Sequence, residues 1–272
     1  MAKTHALPWV KKFKDAKMTD TLKTELSSAE TARYSRQIKL GDIGHEGQLK
    51  LAQSHAVIFG LGGLGSPASL YLASAGVGKI TLVDFDEVDE SNLQRQIVHR
   101  ETNIGQLKVA SAKQNLKALN RYITIETIDE KLDEGELNAL LEKADVVIDC
   151  TDNFASRFAL NRSCHALKKP LISGAAIRME GQLATYDFRM EDSPCYQCLY
   201  KDESGQELNC GMNGVLSPVV GMIGSMQAIE AIKALLNLPT LTGKLMIIDA
   251  YTMHIRTLNL KKDDNCSHCG NA

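Results

Sequence analysis

VIFGLGGLGS, Val57 to Ser66, constrains the fold of this chain more than any other ten residues. A short apolar run leads into Gly60, Gly62 and Gly65, spaced G-x-G-x-x-G, and a helix-forming stretch with Pro67 near its start comes next. Glycines at that spacing permit a tight turn after a strand and let backbone N–H groups approach a phosphate at a helix N-terminus. Gly63 adds a fourth position without a side chain. A β-α-β unit is expected around this turn, with a nucleotide as its ligand.

The flanking pattern supplies that unit. AVIFG reads as a buried strand, SPASLYLASAG as a helix closed by Gly76, and KITLVD as a second strand ending in Asp84. GQLKVASAKQNLKALN carries Leu107, Ala110, Leu116 and Leu119 at near-helical spacing. ITIETI is a third strand, EGELNALLEKA a helix, and DVVIDC a continuous apolar strand of the kind that both faces of a parallel sheet bury. This order implies a doubly wound, Rossmann-like, mainly parallel sheet, with ligands at the carboxyl ends of its strands. After Pro170 the segments LISGAA, GQLATYDF, KLMIIDA and HIRTLNL read as a mixed-strand extension.

Within the most apolar stretch, Gly214 to Asn237, Pro218, Gln227, Glu230 and Lys233 interrupt the run. Ionised groups are costly in lipid, so a buried helix packed closely through Gly221 and Gly224 is expected rather than a membrane span. Of 272 residues, 44% are hydrophobic and 24% charged, and the net charge is −2. That balance offers no electrostatic case for nucleic acid or an anionic membrane. The first thirty residues show no apolar signal core, so a soluble, cytoplasmic protein is expected. Residues 1–28 read as a mobile arm, and 29–272 as a single domain.

The second strand's terminal acid and the connection beyond it bear on which nucleotide is bound. Asp84 is placed to accept hydrogen bonds from a ribose, and the connection carries Asn92, Arg95, Gln96 and Lys108. Such a set suits a triphosphate, with charge to neutralise at the reacting phosphorus. A nicotinamide-dependent oxidoreductase remains the alternative from the glycine turn alone.

RYSRQIKL, GLGGLGSPAS, DFDEVDESNLQRQ, GQLKV, DCTDN, SGAAIRMEGQ and PCYQC occur in that order between about Arg33 and Cys269. Together they resemble the bacterial E1-like adenylyltransferases, which activate the sulfur-carrier proteins of molybdopterin and thiamine biosynthesis. SGAAIRMEGQ and GSMQAIEAIK are closer to the molybdopterin-synthase branch. The thiamine branch is the nearest alternative, and a tRNA-adenosine dehydratase a more distant one. The resemblance implies that Mg-ATP binds the glycine loop and that a ubiquitin-like carrier brings its Gly-Gly carboxylate to the α-phosphate. It further implies that Gly63 lies on the phosphates, that Asp84 holds the ribose, and that Asn92, Arg95 and Lys108 stabilise phosphate charge. Asp152, second acid of DCTDN, would organise Mg²⁺ beside Asn153. Arg36, in RYSRQ, would reach the ATP site of a neighbouring subunit, which implies a homodimer.

Cys195-x-x-Cys198 and Cys266-x-x-Cys269 are two equal knuckles, and four thiolates suit a closed, structural Zn²⁺ site. Cys150 and Cys164 read as ordinary buried cysteines. By the resemblance, Cys210, in ELNCGMNG, stands where relatives carry a cysteine that can take a covalent bond to the partner; the alternative is that the adenylate passes to a separate sulfur-transfer system and this cysteine is dispensable. Asp149, at the end of its strand, reads as a brace for the loop beyond it.

Overall fold

The computed structural model describes residues 23–201 and 214–270. Most of the expected arm, residues 1–22, and Cys210 lie outside the described residues. Three short helices open the described chain: α1 (Ser28–Arg33), α2 (Ser35–Ile38) and α3 (Gly44–Gln53). Ser27 and Glu30 form a reciprocal capping box at α1, with Leu26 buried beside it, so the folded body includes residues just ahead of Ala29. The alternating part runs β1 (His55–Phe59), α4 (Gly65–Ala75), β2 (Lys79–Val83), α5 (Lys108–Leu119), β3 (Thr124–Ile128), α6 (Glu134–Leu141) and β4 (Val146–Asp149). It continues through α7 (Phe154–Ala166), β5 (Pro170–Ile177), β6 (Glu180–Asp187), α8 (Tyr196–Leu199), α9 (Ser217–Leu236), β7 (Lys244–Asp249) and β8 (His254–Asn259).

All eight strands form one sheet in the order β3-β2-β1-β4-β5-β6-β7-β8. The pairs among β3, β2, β1, β4 and β5 are parallel, and β6 to β8 add antiparallel. This is the doubly wound sheet with a mixed-strand extension. Strand order reverses between β1 and β4, so a crevice opens at their carboxyl ends, where open α/β sheets bind ligands. β1 and β4 are buried along their whole length, as strands covered on both faces must be.

Two glycines of the turn are obligatory for different reasons. Gly60 has φ +87°, and a Cβ there would stand 2.7 Å from the Cys150 carbonyl oxygen. A Cβ on Gly65 would lie 1.9 Å from the Gly60 oxygen, so only glycine lets α4 start against the end of β1.

Helix α9 is the apolar stretch, and it is a core element. Its Gln227 amide donates to the Asp149 and Ile172 carbonyls at 2.6 and 3.2 Å. Glu230, 3% exposed, accepts from the Thr185 hydroxyl and the Leu241 N–H, each at 2.7 Å. Polar anchors to the sheet are what a buried helix needs and a lipid-facing one lacks. Close packing occurs at Gly224, where a Cβ would meet the Leu64 oxygen at 2.2 Å and Pro67 at 2.6 Å. The same expectation fails at Gly221, which has open space beside it.

Candidate nucleotide site and cysteine cluster

A cavity of about 720 Å³ occupies the crevice at the strand-order reversal, a size that suits a small-molecule ligand. Its floor is Gly60, Gly62, Gly63 and Leu64. The β2–α5 connection contributes Asp84, Phe85, Asp86, Asn92, Arg95, Gln96 and Lys108, and the β4–α7 turn adds Thr151, Asp152 and Asn153. Phe59, Val83, Leu132 and Leu137 supply apolar wall. Of the sequence-derived candidates, Gly65 lies behind the loop, and Arg36 stands exposed on α2, away from this cavity in its own chain.

Asp84 joins the second strand to the glycine loop. Its Oδ2 accepts from the Leu61 N–H at 2.6 Å and its Oδ1 from the Asp86 N–H at 2.9 Å. Burial raises its carboxyl above the usual value, while the Lys108 ammonium and the two N–H groups pull the other way. Lys108, at the start of α5, is 7% exposed, and its Nζ donates to Asp86 Oδ2 at 2.7 Å. Its backbone N–H also donates to the Asp86 carbonyl at 2.8 Å. A buried ammonium needs such a partner.

Asn92 and Arg95 sit on and just after a 3-10 turn, Glu90–Asn92, which Asp89 caps. Arg95 Nη1 donates to the Ser91 carbonyl at 3.0 Å, which aligns the guanidinium along the wall without neutralising it. Gln96 is buried, and its Oε1 has no partner among the described residues. Across the cavity, Asn153 Oδ1 accepts from the Ser156 N–H at 2.9 Å and so caps α7, leaving its amide NH₂ for a ligand. The Asp152 carboxylate is exposed and makes no hydrogen bond or ion pair among the described residues. Asp149, by contrast, accepts from the Thr151 N–H and hydroxyl and from the Ser173 hydroxyl; it is the brace expected from its place at the strand end.

Sequence reasoning passed over His99, Asp86, Lys131 and Arg157. Lys131 lies over the Phe85 ring, 4.9 Å from its centre, at the cavity's edge. His99 lies under the glycine loop, with Nε2 3.1 Å from the Leu61 carbonyl and Nδ1 2.8 Å from the Ser111 hydroxyl. A carbonyl only accepts, so Nε2 carries the hydrogen and Nδ1 accepts from the serine. Nothing in the spacing of QIVHRE marks it, because its partners come from β1's turn and α5. Burial depresses the His99 pKa to about 4. The unfolded chain protonates near 6.5, so this histidine favours the fold fully above that pH. Its contribution, on the order of 3 kcal/mol, is lost as pH falls from 6.5 towards 4. Replacing His99 by Gln is expected to flatten the pH dependence of urea unfolding in that window; an unchanged slope would contradict the account.

The two cysteine knuckles meet. Cys195, Cys198, Cys266 and Cys269 place their sulfurs within 4.8 Å of one another. Three of the separations are 3.7, 3.9 and 3.4 Å. A tetrahedron built on a Zn–S bond of about 2.3 Å has edges of about 3.8 Å, so the donor set and its spacing fit that ion. The Cys195 and Asp263 N–H groups both point at Cys198 Sγ, each at 3.4 Å, an arrangement that suits a thiolate. Cys150 and Cys164 are buried elsewhere, and burial pushes both thiols up, away from reactivity.

Comparison with known proteins places these features in context. The ThiF family matches residues 34–268. The molybdopterin-synthase adenylyltransferase of Escherichia coli K12 is 47% identical over 247 residues, covering 90% of this chain and 99% of that protein. The adenylyltransferase and sulfurtransferase MOCS3 of Anopheles gambiae is 46% identical over 253 residues; the match covers 92% of this chain and 57% of that longer protein. Among solved structures, E. coli MccB with ATP superposes with a TM-score of 0.72 at 25% identity, over 82% of this chain and 69% of that one.

Proposed function

The chain belongs to the ThiF family, and from that premise we propose that it is an ATP-dependent adenylyltransferase of molybdenum cofactor biosynthesis. Its substrate is the C-terminal Gly-Gly carboxylate of a ubiquitin-like sulfur carrier, the small subunit of molybdopterin synthase. The observation that carries this reading is the make-up of the cavity. Arg95, a buried Lys108 and an unengaged Asp152 converge on one space at the glycine loop, a set suited to polyphosphate charge.

The reaction needs no protein nucleophile. A carboxylate oxygen of the carrier attacks the α-phosphorus of ATP, the bond from that phosphorus to the bridging oxygen breaks, and pyrophosphate leaves with the electron pair. What remains for the protein is positioning and charge stabilisation. Gly62 and Gly63, which line the cavity, would offer backbone N–H groups to the phosphates, and Asp84, also lining it, would take the ribose hydroxyls. Lys108 and Arg95 offset charge on the α-phosphate and the departing pyrophosphate, and Asn92, Gln96 and Asn153 add hydrogen bonds. Asp152, a free hard-oxygen donor, fits Mg²⁺, which when bound neutralises phosphate oxygens and aids pyrophosphate departure. The cysteine cluster holds Zn²⁺ structurally, and Arg36 completes the site of a second protomer in a homodimer. A sulfur nucleophile would then attack the carrier's acyl carbon, and the bond to AMP would break with AMP leaving on the electron pair: either the Cys210 thiolate, giving a thioester, or the persulfide of a separate sulfurtransferase, giving an acyl disulfide.

ATP–pyrophosphate exchange with purified carriers tests the reading. Exchange that depends on the molybdopterin-branch carrier is expected. Exchange with the thiamine-branch carrier alone would reassign the partner, and nicotinamide binding without exchange would overturn the activity.

A further inference from the structure

Arg157 is a charged group that the proposed chemistry leaves without a part. It stands on the first turn of α7, five residues after Asp152, and it does not line the nucleotide cavity. Its guanidinium instead turns beneath the β4–α7 segment. Nη2 donates to the Thr151 carbonyl at 2.6 Å and to the Gly174 carbonyl at 3.2 Å, and Nη1 reaches the Tyr196 hydroxyl at 3.5 Å. Nε is buried with no partner among the described residues. The nearby Asp149 carboxylate favours its charge, yet that carboxylate is itself committed to Thr151 and Ser173.

Burying a guanidinium costs free energy that an apolar side chain would not. What the cation supplies is geometry, because a planar fork fixes two carbonyls relative to one another. The Thr151 carbonyl belongs to the peptide group whose N–H is that of Asp152, so the fork sets the plane from which Asp152 departs. On the other side, Asn153 is locked as the cap of α7. The backbone is thus held on both sides of Asp152 while its carboxylate stays free. The outer end of the fork reaches Tyr196, the residue after Cys195 in the first knuckle. Tyr196 also packs edge-on against Phe158 of α7, with ring centres 5.4 Å apart.

We propose that Arg157 is a positioning residue, which aims the Asp152 carboxylate and ties it through Tyr196 to the knuckle that carries Cys195 and Cys198. The inference rests on the proposed role of Asp152 toward Mg²⁺. Residues that orient a metal ligand typically alter metal affinity or activity about 10- to 100-fold when changed.

The test uses the full chain with carrier and ATP, and titrates MgCl₂ in the exchange assay for Arg157→Lys, Arg157→Gln and Asp152→Asn, with thermal unfolding in parallel. Arg157→Lys is expected to raise the half-saturating Mg²⁺ concentration by about 10-fold, with the ATP KM at saturating Mg²⁺ nearly unchanged. Asp152→Asn should shift the same quantity further. A lowered melting temperature with an unshifted Mg²⁺ dependence in the Arg157 variants, alongside a shift in Asp152→Asn, overturns the inference and leaves the Asp152 reading intact. An unshifted Asp152→Asn overturns both. If neither Arg157 variant folds, Tyr196→Phe, which removes one hydroxyl, decides: a smaller shift in the same direction supports the proposal, and none overturns it.

Discussion

Arg95→Ala is expected to lose carrier-dependent ATP–pyrophosphate exchange by about 10²- to 10³-fold, the loss seen when a preorganised charge-stabilising donor is removed. The fold should hardly notice. Arg95 anchors to the 3-10 turn by side-chain hydrogen bonding to one carbonyl, that of Ser91, and makes no ion pair among the described residues. Losing one such bond at a half-exposed position costs little stability. In the proposed role it contributes a charge at the cavity wall, on which only a transition state that gathers negative charge would draw. Exchange rates and thermal unfolding, measured together, separate the two effects. Near-normal turnover would remove Arg95 from the phosphate set, and a collapse in melting temperature would make it a structural residue.

The second large effect concerns the cysteine cluster. Cys266 and Cys269 come after the exposed edge strand β8, and they reach back to Cys195 and Cys198 beyond β6. Closed on one ion, as proposed, the four sulfurs would pin this carboxyl-terminal segment to α8. Structural zinc contributes an apparent ~10–16 kcal/mol in small domains, comparable with the whole stability of a typical domain at ~5–15 kcal/mol. Metal analysis is expected to find one zinc per chain. Strong chelation or Cys266→Ser should lower the melting temperature steeply, and limited proteolysis should then cut after β8 first. A metal-free protein with an unaltered melt would show that the four thiols pack without an ion.

The parts of the architecture that were legible in the sequence are those fixed by local pattern. β1, β2, β3 and β4 fall within a residue or two of AVIFG, KITLVD, ITIETI and DVVIDC, because buried parallel strands are short apolar runs bounded by turn residues. Asn92, Arg95, Gln96 and Lys108 line one cavity with Asp84 because a single connection carries them past the end of β2. What the sequence hides depends on contacts between distant segments. Gly221 and Gly224 look alike in the chain, yet only Gly224 meets the backbone of Leu64. His99 acquires its role from a carbonyl 38 positions away. Arg157 resembles any helix arginine until Gly174 and Tyr196 are brought beside it. Asn153 was legible as a residue of the DCTDN loop, but its cap to Ser156 appears only once α7 is placed.

The central claim is that this chain joins AMP to a carrier's terminal carboxylate. Mass spectrometry of the molybdopterin-branch carrier, after incubation with the protein and Mg-ATP and rapid acid quenching, addresses it directly. The account predicts a carrier heavier by one adenylyl group, carried on its last glycine and lost on treatment with pyrophosphate. An unmodified carrier, with ATP untouched or hydrolysed without it, would contradict the account.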